Sequence, residues 1–197
     1  MTVAKMKWLA VAAAIALLVG TAPADAGDRH KDRDRGLECR AMLLGANERP
    51  TPVVTNTTGR ASVEFNEDAT KAAFKLRVFD GFQLKQAHIH CGDANTAGPV
   101  VAFLAGLFGN KPGTTVGTSQ DVDGTWIENA TLTDDSVLPR PLAPPATTST
   151  GCPTIPVNTL ADIASLARAG LTYVNAHTTA NPSGEVRGQL VCEEDDN

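Results

Sequence analysis

R-A-S-V-E-F-N-E-D-A-T-K-A-A-F-K-L-R-V-F, residues 60 to 79, alternates apolar and polar side chains on both sides of a short polar connection. Successive side chains of an extended segment point to opposite faces. Ala61, Val63 and Phe65 therefore share one face of the first run, and Phe74, Leu76 and Val78 oppose Lys75 and Arg77 in the second. The intervening N-E-D-A-T supplies turn-forming residues, so the stretch reads as a β-hairpin with one buried face. The same texture recurs along the chain. E-C-R-A-M-L-L at 38 to 44 ends at Gly45, and further short candidates run over 87 to 90, 100 to 104, 125 to 132, 171 to 175 and 185 to 191. Eight short strands with frequent turn signals predict an all-β chain, an antiparallel Greek-key-like β-sandwich.

Two stretches break the pattern. T-D-D-S-V-L-P-R-P-L-A-P-P-A-T-T-S-T-G-C-P-T-I-P, 133 to 156, holds six prolines. Proline withholds a backbone donor from any ladder, so this segment reads as a long surface loop tied down at Cys152. N-T-L-A-D-I-A-S-L-A-R-A-G, 158 to 170, spaces Leu160, Ile163, Ala164 and Ala167 at helical intervals, with Asn158 or Thr159 as cap, Asp162 in the first turn and Gly170 as stop. One short helix is thus inserted into a strand-rich chain.

The amino-terminal segment carries an address. Lys5 and Lys7 precede W-L-A-V-A-A-A-I-A-L-L-V at 8 to 19, and A-D-A stands at 24 to 26. That order matches an export signal spanning 1 to 26, and the apolar run falls short of the roughly 20 residues that cross a bilayer. G-D-R-H-K-D-R-D-R-G, 27 to 36, contains no apolar side chain able to bury, so it reads as a disordered charged lead-in, and His30 within it as merely solvated. A folded domain is expected over 37 to 192, followed by an acidic tail at 193 to 197. Removing Lys5, Lys7 and Asp25 with the signal leaves 171 residues with 15 basic and 21 acidic side chains, a net charge of −6. That balance argues against nucleic acid and anionic lipid as partners, and no second apolar run of spanning length follows. The expected location is secreted, periplasmic or cell-surface, with an extracellular protein or surface ligand as partner.

Four cysteines, Cys39, Cys91, Cys152 and Cys192, read in an oxidising compartment as two disulfides, for which three pairings exist. The first and last strands of a sandwich often lie together. This favours Cys39 with Cys192 and leaves Cys91 with Cys152 to anchor the proline-rich loop.

Several landmarks together resemble a known family. L-L-G-A-N-E-R-P-T-P-V-V-T with Gly59, the central A-H-I-H-C-G followed by G-P-V-V-A-F-L, the helix ending in R-A-G, and the closing Y-V-N-A-H-T-T-A-N-P-S-G-E-V-R-G-Q-L are similar to the chordin-type domain, CHRD. The resemblance runs from about Leu37 to Leu190 and implies an extracellular β-sandwich module like those of exported bacterial members. The proline-rich segment is longer than the family pattern leads one to expect between the corresponding strand and helix.

Within that frame, A-H-I-H puts His88 and His90 on one strand face and Ile89 on the other. His177, in Y-V-N-A-H-T, lies far along the chain, but a late strand of a Greek key can neighbour a middle one. Three imidazoles from two strands are a common protein complement for copper or zinc with one position open. The competing reading is a buried hydrogen-bond network that pins neighbouring strands. H-x-H on a strand also occurs in copper–zinc superoxide dismutases, yet no further histidines or suitably spaced aspartate serve a second, bridged metal here. In N-P-S-G-E-V-R-G-Q, 181 to 189, Glu185 and Arg187 fall on one face and read as a structural ion pair, with Glu185 a candidate to fix a histidine tautomer. No G-x-S-x-G, H-E-x-x-H, phosphate-cradling glycine loop or paired acidic motif occurs. The sequence therefore favours a non-enzymatic binding or structural module, with a mononuclear copper or zinc protein as the alternative.

Overall fold

The computed structural model describes residues 36–106, 119–138, 152 and 156–193. The expected export signal, the charged lead-in apart from Gly36, most of the proline-rich stretch and the acidic tail beyond Glu193 lie outside the described residues. The strands in chain order are β1 (Glu38–Leu44), β2 (Thr58–Phe65), β3 (Ala72–Cys91), β4 (Val100–Ala105), β5 (Gln120–Leu132), β6 (Thr172–Thr178), β7 (Val186–Gln189) and β8 (Val191–Glu193), with one helix, α1 (Leu160–Arg168), between β5 and β6. No helix among the described residues is long and apolar enough to cross a membrane.

All strand pairings between these elements are antiparallel. They form one eight-stranded sheet rather than the two separate sheets expected from the sequence. The cause is β3. Its first half pairs with β2 and β5, and its second half pairs with β6 and β4. β1 pairs with β2 along its length and meets β7 at Leu44↔Arg187. The circuit β3, β2, β1, β7, β6 and back to β3 therefore closes in a barrel-like arrangement around the apolar core. Closure leaves fewer unpaired strand edges than an open sheet would.

The segments 73 to 79 and 87 to 90, read from the sequence as separate strands, are the two ends of this single 20-residue strand. D-G at 80 and 81 looks like a turn, but the chain continues extended through bulges, with Asp80 at φ 52° and Gln83 at φ 50°. Register shifts follow at Val78/Gly81, Gly81/Leu84 and Leu84/Gln86. Their effect is a change of parity. Before the bulges the even residues Ala72, Phe74, Leu76 and Val78 belong to the core; after them the odd residues Ala87, Ile89 and Cys91 do. An uninterrupted strand would have aimed His88 and His90 into that apolar interior.

α1 forms for the reasons its sequence suggests. Thr159 Oγ1 accepts a hydrogen bond from the Asp162 N–H at 3.2 Å, and the Asp162 carboxylate accepts one from the Thr159 N–H at 2.9 Å, a closed capping box. Leu160, Ile163, Ala164, Leu166 and Ala167 are buried, and Gly170 ends the helix at φ 69°. Two disulfides staple the fold: Cys39–Cys192 joins opposed residues of β1 and β8, and Cys91–Cys152 ties the end of β3 to the proline-rich segment.

The bulge is tightly packed. A Cβ at Gly81 would lie 2.8 Å from Val78 Cγ1 and 2.9 Å from Leu84 Cδ1. Both side chains are fully buried. Gly81→Ala should therefore cost about 1 to 3 kcal/mol of stability through overpacking, read as a lowered denaturant midpoint. An unchanged midpoint would show that the bulge has slack and that its geometry does not depend on glycine.

Candidate functional site

The face of the sheet opposite the core carries a second buried layer, and that layer is polar. His88 stands opposite Asn175 and His90 opposite Tyr173 on the β3–β6 ladder, while Arg187 stands opposite Asn175 on the β6–β7 ladder. Alternation then places Tyr173, Asn175, His177, His88, His90 and Arg187 on one face. Their exposures lie between 2 and 8%. Three connecting segments cover them, each supplying backbone carbonyls or a side chain: the 92–99 connection, the 179–185 turn and the 45–57 loop.

The three histidines converge. One nitrogen from each of His88, His90 and His177 can be chosen so that all lie within 4.8 Å of one another. Backbone carbonyls can only accept, which fixes two tautomers. His177 donates from Nδ1 to the Pro182 carbonyl at 3.0 Å, and His90 donates from Nδ1 to the Gly98 carbonyl at 2.8 Å. Both Nε2 atoms are then lone-pair acceptors. His88 Nδ1 approaches His177 Nε2 at 2.9 Å and donates to it. The count leaves a deficit: His88 Nε2 and His90 Nε2 are buried with no hydrogen-bond partner. The Asn175 amide, 2.9 Å from His177 Nε2 and also hydrogen-bonded to His90, brings N–H donors as well as an acceptor to the cluster, and with His177 Nε2 accepting it is the amide N–H that faces that nitrogen. What remains without a hydrogen bond in the cluster is the pair of lone pairs on His88 Nε2 and His90 Nε2.

Burial pushes the imidazole pKa of His90 down to about 4, and burial with repulsion from the other two rings takes His88 to about 2; His177 moves the same way through burial. All three are neutral at physiological pH, the form that binds metals. Aromatic walls enclose them. Phe103 meets the His88 ring edge-on at 4.4 Å, and Tyr173 stacks on His90 at 4.7 Å with an interplanar angle of 12°. Arg187 Cζ lies 3.5 Å from the centroid of the Tyr173 ring, and Arg187 donates to the Asp93 carbonyl at 2.6 Å.

Glu185 and Arg187 do not form the ion pair expected of them. The only ion pairs among the described residues join Arg40 to Glu38 and Glu193. Positions two apart can pair, as Glu38 and Arg40 do, but need not, and Glu185 and Arg187 each have other fixed partners. The Glu185 carboxylate accepts from Thr178 Oγ1 at 2.8 Å and from the Asn181 amide. Burial alone would raise its pKa, but hydrogen bonds from Thr55, Asn181, Thr178 and Thr57 hold it below the usual carboxylate range. Glu185 acts on His177 one step removed, by holding the turn whose Pro182 carbonyl orients the ring.

Sequence reasoning missed Glu48. It is 4% exposed, its Oε1 has no partner, and burial, opposed by Arg187, pushes its carboxyl up to about 7. A Cβ at Gly184 would sit 2.5 Å from both carboxylate oxygens, so glycine there makes room for it. N-E-R-P was visible as a motif, but nothing nearby in sequence marked its glutamate as buried.

The structure is a disulfide-stapled, barrel-like antiparallel sheet with a covered polar layer, and its two disulfides fit an extracellular location. The CHRD domain model matches residues 39–190, and the chain belongs to that family. Neither the curated proteins nor the solved structures contain a match to it.

These ionisations predict a pH profile. The histidines have folded-state pKa values below the ordinary 6.5, so the unfolded chain binds more protons in acid. Stability is therefore full above about pH 6.5 and falls below it, by up to about 1.4 kcal/mol per pH unit for each imidazole. Glu48 has the opposite sign: its raised pKa makes stability fall as pH rises from about 4.5 through 7. Glu48→Gln should thus steepen the acid-side loss and raise stability at pH 8, measured by urea unfolding from pH 5 to 8. Equal slopes in the two proteins would remove Glu48 from the account.

Proposed function

We propose that this chain is an exported, non-enzymatic CHRD module whose distinctive binding site is the histidine trio, a mononuclear site for copper or zinc. The observation that carries this reading is the pair of buried, unpartnered Nε2 atoms on His88 and His90 beside His177. An unsatisfied buried acceptor costs about 1 to 3 kcal/mol, and two in one cluster are hard to retain without a compensating ligand. A metal in the cluster would accept the lone pairs that the protein leaves unused. Imidazole bonds of 2.0 to 2.1 Å around a tetrahedral ion put ligand nitrogens about 3.4 Å apart. The rings would have to draw in from 4.8 Å by about 1.4 Å at the widest pair. The disulfides and the sequence of residues 1 to 26 support export.

The competing reading is a strand-pinning network. It accounts for the contact between His88 and His177 and for both carbonyl bonds, but not for the two unpartnered nitrogens. Membership of the CHRD family and the two disulfides support an extracellular protein or surface ligand as the partner outside the metal.

Metal analysis decides between the two. Purified protein should retain about one equivalent of copper or zinc, and saturation at 100 times Kd should add about 2.7 kcal/mol of stability. His88→Ala and His177→Ala should each abolish retention while leaving the barrel folded. Absence of stoichiometric copper or zinc at excess metal returns the trio to a structural role.

A further inference from the structure

We propose that the histidine trio is selective for copper(I) and discriminates against divalent ions. This rests on the metal-site reading above and goes further by assigning the charge of the occupant. Three observations carry it.

The ligand set is neutral. The group contains no carboxylate and no thiolate. Cys91, adjacent to His90, is committed to its disulfide with Cys152 and belongs to the apolar core. Divalent zinc or copper would therefore bring two full charges into a buried layer with no anionic ligand, and copper(I) only one. Burying uncompensated charge is strongly unfavourable, and the penalty grows steeply with its magnitude.

A fixed positive charge already stands beside the site. Arg187 is 2% exposed and keeps its proton. It lies 3.5 Å from the Tyr173 centroid, and Tyr173 lies 4.7 Å from the His90 centroid. β7 and β3 flank β6 on opposite sides, so guanidinium and imidazole bracket the tyrosine ring. At a separation of about 8 Å and an effective dielectric of about 20, each added unit of metal charge weakens binding roughly thirtyfold. No carboxylate forms an ion pair with Arg187 among the described residues. Glu48, whose field it feels, has a pKa of about 7 and so carries only part of a charge at neutral pH.

The site offers no fourth imidazole, thiolate or carboxylate. Zinc takes four ligands in structural sites, and three plus a water in catalytic ones. Here Phe103 closes on His88 and Tyr173 covers His90. Zinc(II) and copper(I) are both d10 ions without ligand-field demand, so charge and coordination number separate them, and copper(I) accepts three nitrogens without a fourth ligand.

The test compares three ions on the same purified chain: copper(I) under anaerobic conditions against bicinchoninate, and copper(II) and zinc(II) against chromogenic chelators. Copper(I) should bind with a Kd at least about tenfold below zinc(II), with the charge effect setting the scale. Arg187→Gln, checked for folding by its thermal transition, should narrow the gap between copper(I) and zinc(II) by about ten- to thirtyfold. Zinc(II) or copper(II) binding as tightly as copper(I) in the wild-type chain overturns the copper(I) assignment while preserving a metal site. Failure of all three ions to bind overturns the metal site itself. An unchanged ratio in folded Arg187→Gln removes the arginine from the argument, and if that variant does not fold, the wild-type ratio alone decides.

Discussion

The change of parity inside β3 is the constraint on which the rest of this structure depends. One strand must contribute Phe74, Leu76 and Val78 to the apolar interior and, a few residues later, Ile89 to the same interior and two histidines to the opposite face. A regular strand cannot do this, because its period of two ties odd residues to one face throughout. Three irregularities, at Val78/Gly81, Gly81/Leu84 and Leu84/Gln86, together add the odd step; the first two alone leave the even-numbered Leu84 in the core. They also let the same strand pair with β2 and β5 first and with β6 and β4 afterwards, which is how one sheet closes on itself. The closed core and the separate polar layer are two consequences of one irregular stretch.

The polar layer exists because loops cover what would otherwise be a solvated sheet face. Each covering segment contributes backbone carbonyls or a carboxylate: Gly98 and Asp93 from one, Pro182 from another, Glu48 from the third. Backbone acceptors fix tautomers more firmly than side chains do, since no rotamer change removes them. The orientation of the His90 and His177 nitrogens is thus built into loop conformation, and Glu185 secures one of those loops through Thr178 and Asn181. Nothing comparable restrains the second nitrogen of His88, which is where the deficit of donors is most visible.

Much of this was legible from local pattern. The hairpin over residues 60 to 79 and the helix near 160 to 168 rest on short-range periodicity and capping, and both elements form there. The shared face of His88 and His90 follows from alternation alone. Closure of the sheet was not legible, because D-G at 80 and 81 is turn chemistry in most contexts, whereas here Gly81 pairs with Val122 of β5, a partner distant in sequence. The Glu185–Arg187 pair illustrates a different limit. Sharing a face at i and i+2 fixes direction, not contact, and each side chain found its partners in loops distant in sequence. Glu48 was hidden for the same reason: its burial is decided by Gly184, across the fold.

The separation of apolar core from polar layer has a consequence for how the module can change. Truncating Ile89 opens a void in a close-packed interior, a loss of about 2 to 5 kcal/mol, whereas altering His90 one residue away touches only loops and neighbouring rings. Adjacent positions on one strand are therefore under different physical demands, shape on one side and donor–acceptor balance on the other. A layer whose donors and acceptors do not balance is less stable than an apolar surface of the same shape would be. Among the described residues, two of the six buried side-chain atoms without a hydrogen bond, His88 Nε2 and His90 Nε2, lie in this cluster, walled by Phe103 and Tyr173. Rigidity alone gives no reason to place both of these nitrogens on rings that converge with His177 within 4.8 Å, and capture of a cation, the function proposed above, would.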